Sequence, residues 1–265
     1  MVKGMPSFDY MCDTICRGCA LGKNVKKKFP RNHTRYKGIL YLVHSYVCGP
    51  ISSPSLSGHL YYVLFIDDFS RKAWIYFMKA KSETFYKFQE FKALVEDQTS
   101  RHIRALRSDN GGYFESNAFN EFCSDVGICR QLTVPYNPQQ NGVAERKNRI
   151  LCEAAKSMLH DRDISAYLWA EATSTAVYIQ NRSPHAVLDE KTPKEVFTGE
   201  KPDISHLRIF GCPVYIHIQK EKRINMEHSR NNGTFVGYSE TSKEVIIYVP
   251  GERHVEVSWD VAFHV

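Results

Sequence analysis

The sequence has no long apolar run. No stretch approaches the roughly 20 consecutive apolar residues that cross a bilayer, and the opening MVKGMPSFDYMCD lacks the apolar segment of a secretory signal. These absences predict a protein that has no membrane partner, is not secreted and stays inside the cell, in the nucleus or the cytoplasm. Of its 265 residues 43% are hydrophobic and 12% aromatic, which indicates a folded globular chain rather than a disordered one.

Acidic residues are missing from the stretch between Thr14 and Lys37. The same stretch carries basic side chains instead: Arg17, Lys23, Lys26, Lys27, Lys28, Arg31, Arg35 and Lys37. Such a block suits a phosphate backbone or a nuclear address, and it is equally typical of a solvated basic linker.

Strand and helix patterns alternate in the middle of the chain. Two aromatic and β-branched runs flank the turn in LYYVLFIDDFSRKAWIYFMKA, which predicts an antiparallel hairpin. The helix pattern that follows places four apolar residues three apart on one face: Phe85, Phe88, Phe91 and Leu94. Strands at IRALRSD and ICRQLTV and a long helix from about Val143 to His160 complete an α/β layer with a mixed sheet.

The pattern changes after about residue 200. Short strands separated by turn residues follow each other in RIFGCPVYIHI, NNGTFVGYS, EVIIYVP and HVEVSWDVAFHV. This pattern predicts a small all-β module, a barrel. The chain therefore divides into an N-terminal segment at 1–36 with little apolar periodicity, an α/β domain at 37–190 and the β module at 200–265.

Two carboxylates stand out by their positions. Asp109 closes a predicted strand in LRSDNGGYF, and Glu145 lies in the first turn of the long helix. Taken singly, each has an ordinary explanation, because an aspartate before Asn-Gly-Gly suits a turn and a glutamate there complements the helix dipole.

The long helix gives Glu145 a chemical setting. Its expected buried stripe is Ile150, Leu151, Ala154, Ala155, Met158 and Leu159, and another face carries Glu145 with Asn148, Arg149, Cys152 and Lys156. A carboxylate that binds a divalent ion, beside donors that bind phosphates, is what phosphoryl transfer on DNA requires. We therefore expect DNA contacts from this helix and the loop before it: Tyr136 as a stacking ring, Gln140, Lys147, Asn148, Arg149 and Lys156.

Several strings occur together and in order: VHSYVCGP, FIDDFSRKAWIYF, LRSDNGGYF, YNPQQNGVAERKNRILCEAAKSML and FGCPVYIHI…FVGYS. They resemble the integrase of copia-type retrotransposons over essentially the whole chain. The resemblance implies an RNase H-like core with an Asp-Asp-Glu site for Mg²⁺ or Mn²⁺, preceded by a His-His-Cys-Cys zinc module and followed by a small β-barrel. It implies trimming of element DNA ends and their transfer into target DNA, with both DNAs as partners and self-association left open. Without protease and reverse-transcriptase regions, the chain is expected to be a fragment of the element's polyprotein.

The resemblance fails at the first acid of the site. The second acid falls on Asp109 and the glutamate on Glu145, but the first aspartate falls on Tyr46. A neutral phenol with a pKa near 10 is a poor Mg²⁺ ligand, so we expect weak metal binding and impaired catalysis.

No neighbouring aspartate is expected to compensate. If Tyr46 pairs near Tyr62, Asp67 lies ~17 Å away at ~3.4 Å per residue, beyond the reach of a ligand. Asp67 and Asp68 are therefore expected to serve the hairpin turn. Tyr113 is a second departure, because the family usually has glutamate there, and the sequence does not indicate its effect.

The zinc module is also incomplete. Cys16 and Cys19 keep a C-x₂-C spacing, but no histidine precedes His33 and both upstream histidine ligands are absent. Cys12 and His33 are alternative ligands, but with only two of four ligands in register we expect no stoichiometric zinc. We expect reduced thiols for the chain's eight cysteines.

Three functions are compatible with these residues. The chain is an integrase-like enzyme with residual metal-dependent activity, a DNA-binding module without catalysis, or a decayed remnant of an element. In the first two cases the fold and some DNA affinity are expected to survive. The source element, the target-site preference and the oligomeric state do not follow from the residues.

Overall fold

Two five-stranded sheets organise the chain. The computed structural model describes residues 36–132, 141–217, 230–239, 244–251 and 253–263. The first sheet has the order β3-β2-β1-β4-β5, and its strands are β1 (Val43–Cys48), β2 (Tyr61–Asp67), β3 (Ala73–Met78), β4 (Ala105–Ser108) and β5 (Cys129–Leu132). Strands β1, β2 and β3 are antiparallel, whereas β4 runs parallel to both β1 and β5. The predicted hairpin and mixed sheet are therefore confirmed, with β1 at the centre.

Helices cover both faces of this sheet. One face packs against α1 (Thr84–Thr99) and α2 (Asn117–Asp125). The other face packs against α3 (Gly142–Asp161) and α4 (Trp169–Arg182). A short helix, α5 (Pro193–Thr198), follows α4 in the chain. Across the described parts of the chain, no helix is both long and apolar enough to span a membrane.

Aromatic rings fill the face beneath α1. Phe65 of the sheet stacks on Phe91 with ring centroids 4.5 Å apart, and Phe88 is fully buried beside them. The predicted stripe was wrong at Leu94, which is 41% exposed, while Val95 is fully buried. A helix turns about 100° per residue, so a step of four from Phe91 returns to the buried face and repeated steps of three drift off it.

The long helix α3 buries a narrower stripe than predicted. Ala144, Leu151 and Ala155 are buried against the sheet and α4, but Ile150 is 43% exposed. The reason is again the pitch, because Ile150 lies about 100° around the helix from Leu151.

The second sheet confirms the all-β module. Its strands are β6 (Pro213–His217), β7 (Arg230–Tyr238), β8 (Val245–Val249), β9 (His254–Ser258) and β10 (Val261–Phe263), paired antiparallel in the order β10-β6-β7-β8-β9. The sheet packs on α4, where the Thr175 hydroxyl donates to the Val236 carbonyl at 3.1 Å. The rings of Tyr178 and Tyr238 stack beside this bond, with centroids 4.4 Å apart. These contacts join the module to the α/β core.

Candidate active site

Tyr46 lies on the central strand of the mixed sheet, on the face that α3 covers. Its partner on β2 is Leu64, and Tyr62 pairs with Cys48 instead, so the predicted pairing was wrong by two residues. Asp67 is therefore ~10 Å further along β2 at ~3.4 Å per residue, rather than ~17 Å. The shorter distance is still far beyond that of a shared metal ligand.

The two aspartates of the β2–β3 turn are engaged elsewhere. Asp67 is fully buried and accepts hydrogen bonds from the Ser70 N–H and hydroxyl, each at 2.7 Å. Asp68 accepts a hydrogen bond from His44 Nε2 at 3.0 Å and pairs with Arg71 at 3.2 Å. Burial raises the pKa of Asp68, but the His44 bond and the Arg71 charge outweigh it and lower that pKa to about 2. Neither carboxylate is available in place of Tyr46.

Asp109 follows β4 directly, at the carboxyl end of the strand that runs parallel to β1. Both of its carboxylate oxygens accept hydrogen bonds from its own loop. The Gly111 N–H donates to Oδ1 at 3.2 Å, and the Tyr113 hydroxyl donates to Oδ2 at 2.9 Å. The loop therefore covers the carboxylate that its strand presents.

Tyr113 reaches Asp109 because Gly111 leaves room for its ring. A β-carbon on Gly111 would lie 2.3 Å from Cζ of Tyr113 and 2.7 Å from its hydroxyl oxygen. Lys81 places its ammonium 5.2 Å from the centroid of the same ring. Burial, followed by the Asp109 charge, raises the pKa of Tyr113 well above its usual range. The phenol therefore stays protonated and donates a hydrogen bond to the carboxylate.

Glu145 lies in the first turn of α3, where the helix dipole favours a carboxylate. The start of this helix is tied to β1, because the buried Asn141 donates its amide Nδ2–H to the Ser45 carbonyl at 3.0 Å. Ser45 precedes Tyr46 in β1. This bond holds the beginning of α3 beside Tyr46.

Tyr46 interacts electrostatically with both predicted carboxylates. The pKa of the Tyr46 phenol is raised first by burial, and then by nearby groups that include Glu145 and Asp109. Tyr46 also contributes to the raised pKa of Tyr113. A central strand, the end of its parallel neighbour and the first turn of a helix thus bring two carboxylates and two phenols together.

Two protein families match the two sheets separately. Residues 45–138 match the integrase core domain, and residues 212–264 match the retroviral polymerase SH3-like domain. These two stretches of the chain are similar to an integrase core and to a retroviral SH3-like domain, respectively. The predicted resemblance to integrases of copia-type retrotransposons is confirmed.

Two similar curated proteins are plant polyproteins. The chain is 42% identical to the retrovirus-related Pol polyprotein from transposon TNT 1-94 of Nicotiana tabacum over 248 aligned residues. The alignment covers 94% of this chain and 19% of the polyprotein. It is 32% identical to the retrovirus-related Pol polyprotein from transposon RE2 of Arabidopsis thaliana over 240 aligned residues. This alignment covers 90% of this chain and 16% of the RE2 polyprotein. The chain spans less than a fifth of the length of these two relatives.

A chain of a solved retroviral intasome shares the fold at low identity. A chain of the simian T-cell lymphotropic virus intasome, solved in complex with PP2A regulatory subunit B56 gamma, aligns with a TM-score of 0.56 and 18% identity over 94% of this chain and 87% of its own length. The HTLV-2 integrase catalytic core domain, solved in complex with magnesium, aligns with a TM-score of 0.46 and 21% identity over 59% of this chain and 95% of its own.

The residues around Tyr46 do not fit a two-metal site. Mg²⁺ prefers near-octahedral oxygen coordination with carboxylate anchors. Here Tyr46 has a raised pKa and stays protonated, and the Tyr113 hydroxyl donates a hydrogen bond to Asp109 Oδ2. Within the described ranges, no three His, Cys, Asp or Glu side chains are grouped so that they could hold a metal ion.

The residues predicted to contact nucleic acid differ in their environment. Arg149 and Lys156 are exposed on α3, whereas Lys147 is partly buried and its loss of water lowers its pKa to about 8. Asn148 takes part in packing, since its Oδ1 accepts a hydrogen bond from the Tyr62 hydroxyl at 2.6 Å. The remaining predicted site residues lie outside the described residues: Tyr136, Gln140, Cys16 and Cys19.

Two features of the site were missed from the sequence. The first is the closure of Tyr113 over Asp109, for which a tyrosine four residues after an aspartate with two intervening glycines was the available signal. The second is a thiol pair between β1 and α3, at Cys48 and Cys152. Its one signal was that both cysteines belong to elements expected to pack together.

Proposed function

We propose that this chain is an integrase-type module that binds DNA and whose polynucleotidyl transfer is impaired. The observation that carries the proposal is the protonated phenol of Tyr46 on the central strand, electrostatically coupled to Asp109 and Glu145. An anionic ligand is required where this neutral donor stands. Asp109 and Glu145 are then the two carboxylates that remain of the site.

DNA is the proposed partner, both as element ends and as target. The exposed cations Arg149 and Lys156 on α3 support it, since they lie on the helix that carries Glu145. The basic stretch that ends at Lys37 adds sequence-independent attraction to phosphates. These contacts do not depend on Tyr46, so binding is expected without cutting.

The test compares this chain with Tyr46→Asp on fluorescent DNA duplexes with varied ends, in Mg²⁺ and in Mn²⁺. Restoring the central ligand should increase end trimming by at least about a hundredfold, because metal activation is worth several kcal/mol. The matched control is Tyr46→Phe, which should bind the duplexes and leave them intact. Adding Glu145→Gln to Tyr46→Asp should abolish the restored activity.

The proposal is wrong if the unmodified chain already trims ends at the rate of Tyr46→Asp and loses that activity on Glu145→Gln. A chain that shows no cooperative unfolding transition would instead be the decayed remnant.

A DNA-binding module without recoverable catalysis is the second candidate. It is favoured by the Tyr113 hydroxyl at 2.9 Å from Asp109, a second departure at the same site. On this reading Tyr46→Asp binds DNA as before and trims nothing. Removing the Tyr113 hydroxyl as well then distinguishes a closed site from one that has lost its function altogether.

A further inference from the structure

Two cysteine thiols meet between the central strand and the long helix. Cys48 ends β1, Cys152 lies in the middle of α3, and both sulfurs contact the same Asn148 amide. Both side chains are partly exposed and neither forms a disulfide. An oxidant of small size can therefore reach the pair.

Two polar side chains hold the pair in place. The Tyr62 hydroxyl lies 3.2 Å from the Cys152 sulfur and donates to Asn148 Oδ1 at 2.6 Å. The Asn148 amide places its nitrogen 4.0 Å from the Cys48 sulfur and its oxygen 3.9 Å from the Cys152 sulfur. One amide therefore contacts both sulfurs, and Tyr62 fixes that amide.

The two thiols are chemically unequal. The hydrogen bond from Cys48 is the main cause that lowers the pKa of Cys152 to about 6, and the Lys156 charge lowers it further against the effect of burial. The same bond raises the pKa of Cys48 well above its usual range. These opposite shifts favour the thiolate on Cys152 and the proton on Cys48, which are the roles of an attacking and a resolving thiol.

We propose that Cys48 and Cys152 form a peroxide-oxidisable dithiol, a modification site that links β1 to α3. In the first step the Cys152 thiolate attacks one oxygen of hydrogen peroxide and the O–O bond breaks. Hydroxide departs as the leaving group, and Cys152 becomes a sulfenic acid. In the second step the Cys48 sulfur attacks the Cys152 sulfur, the S–O bond breaks, and the hydroxyl leaves as water with the Cys48 proton. The two sulfurs lose two electrons to the peroxide, and the hydroxide takes a proton from solvent.

The link would lie beside the candidate active site. Cys48 stands two residues after Tyr46 in β1, and Cys152 lies about two turns after Glu145 in α3. A disulfide here ties the helix that carries Glu145 to the strand that carries Tyr46. The inference concerns the thiols alone and does not depend on the proposed function.

The test oxidises the whole chain with a small excess of hydrogen peroxide, blocks the remaining thiols and maps disulfides by mass spectrometry without reduction. The expected result is a Cys48–Cys152 peptide pair that dithiothreitol separates. Before oxidation, iodoacetamide at pH 7 should label Cys152 about tenfold faster than Cys129, an exposed cysteine on β5, because more of Cys152 is thiolate.

Matched variants separate the two roles. Cys48→Ser should leave a sulfenic acid on Cys152 that dimedone traps, and Cys129→Ser should leave the Cys48–Cys152 link unchanged. The inference is overturned if peroxide oxidises other cysteines while these two stay unlinked, or if Cys152 is labelled no faster than Cys129. Both decisive readings are made on the unmodified chain, so a variant that fails to fold does not remove the test.

Discussion

Replacing Tyr113 by phenylalanine should open the Asp109 carboxylate while leaving its loop in place. The ring remains, with its contacts to Phe114 at 5.0 Å between centroids and to the Lys81 ammonium at 5.2 Å. The substitution removes the hydroxyl that donates to Asp109 Oδ2 at 2.9 Å. A hydrogen bond to a charged group contributes about 1.5–3 kcal/mol, and the partial exposure of both residues favours about 1.5 kcal/mol here.

Any cation that binds Asp109 Oδ2 must displace this hydroxyl. About 1.5 kcal/mol corresponds to roughly a tenfold change in affinity. Combined with Tyr46→Asp, which adds a third carboxylate, Tyr113→Phe should therefore bind Mn²⁺ about tenfold more tightly than Tyr46→Asp alone. With Tyr46 in place, the same substitution should leave Mn²⁺ binding weak, because the central ligand is still missing.

Calorimetric titration of Mn²⁺ into the four chains of this double-mutant cycle measures the effect. Thermal unfolding gives a second readout, since Mn²⁺ at a hundred times its Kd should add about 2.7 kcal/mol of stability. Without metal, Tyr46→Asp should be the less stable chain, because it loses ring contacts beneath α3 and adds a carboxylate near Asp109 and Glu145.

Equal Mn²⁺ affinity in Tyr46→Asp and in the double variant would refute the competition between Tyr113 and the ion. Tyr46→Phe serves as the control for the other position, because it removes a hydroxyl without supplying a ligand. It should bind Mn²⁺ no better than the unmodified chain.

Three further predictions concern the loop, the helix and the surface. Gly111→Ala should lower the free energy of unfolding in urea by about 1–3 kcal/mol, because its β-carbon would overlap the Tyr113 ring. Gly112→Ala, whose β-carbon would have nothing within 4 Å, should change it by less than about 0.5 kcal/mol. Equal losses in the two variants would contradict this packing. Burial lowers the pKa of Lys147 from 10.5 to about 8, so the unfolded chain binds more protons between those values and the free energy of unfolding should rise with pH across that window. Lys147→Met should abolish that rise and stabilise the chain at pH 7 by up to about 3 kcal/mol, and an unchanged pH profile would show that Lys147 is not desolvated. DNA affinity should fall with salt along a log–log slope of about −4 to −5 if about five phosphates are neutralised, and binding that is insensitive to salt would exclude the electrostatic account.

Local patterns were sufficient for the architecture. The hairpin, the mixed sheet and the all-β module follow from strand periods of two and turn residues, which depend on neighbours along the chain. The same holds for Asp109 directly after a strand and Glu145 in the first turn of a helix. The buried faces of the helices were predicted less well, because Leu94 and Ile150 lie at the border of their apolar stripes. Neighbouring residues are about 100° apart around the helix axis, so one position can separate the core from solvent.

The sequence by itself placed Tyr46 on a strand, Asp109 directly after a strand and Glu145 in the first turn of a helix. Tertiary structure decided what surrounds those groups: the pairing of Tyr46 with Leu64, the closure of Tyr113 over Asp109 and the contact between Cys48 and Cys152. The physical reason is that strand register, loop closure and helix docking each follow from packing summed over many residues. A change of a few ångströms in any of them gives a side chain a different partner, and no short stretch of sequence fixes such a distance.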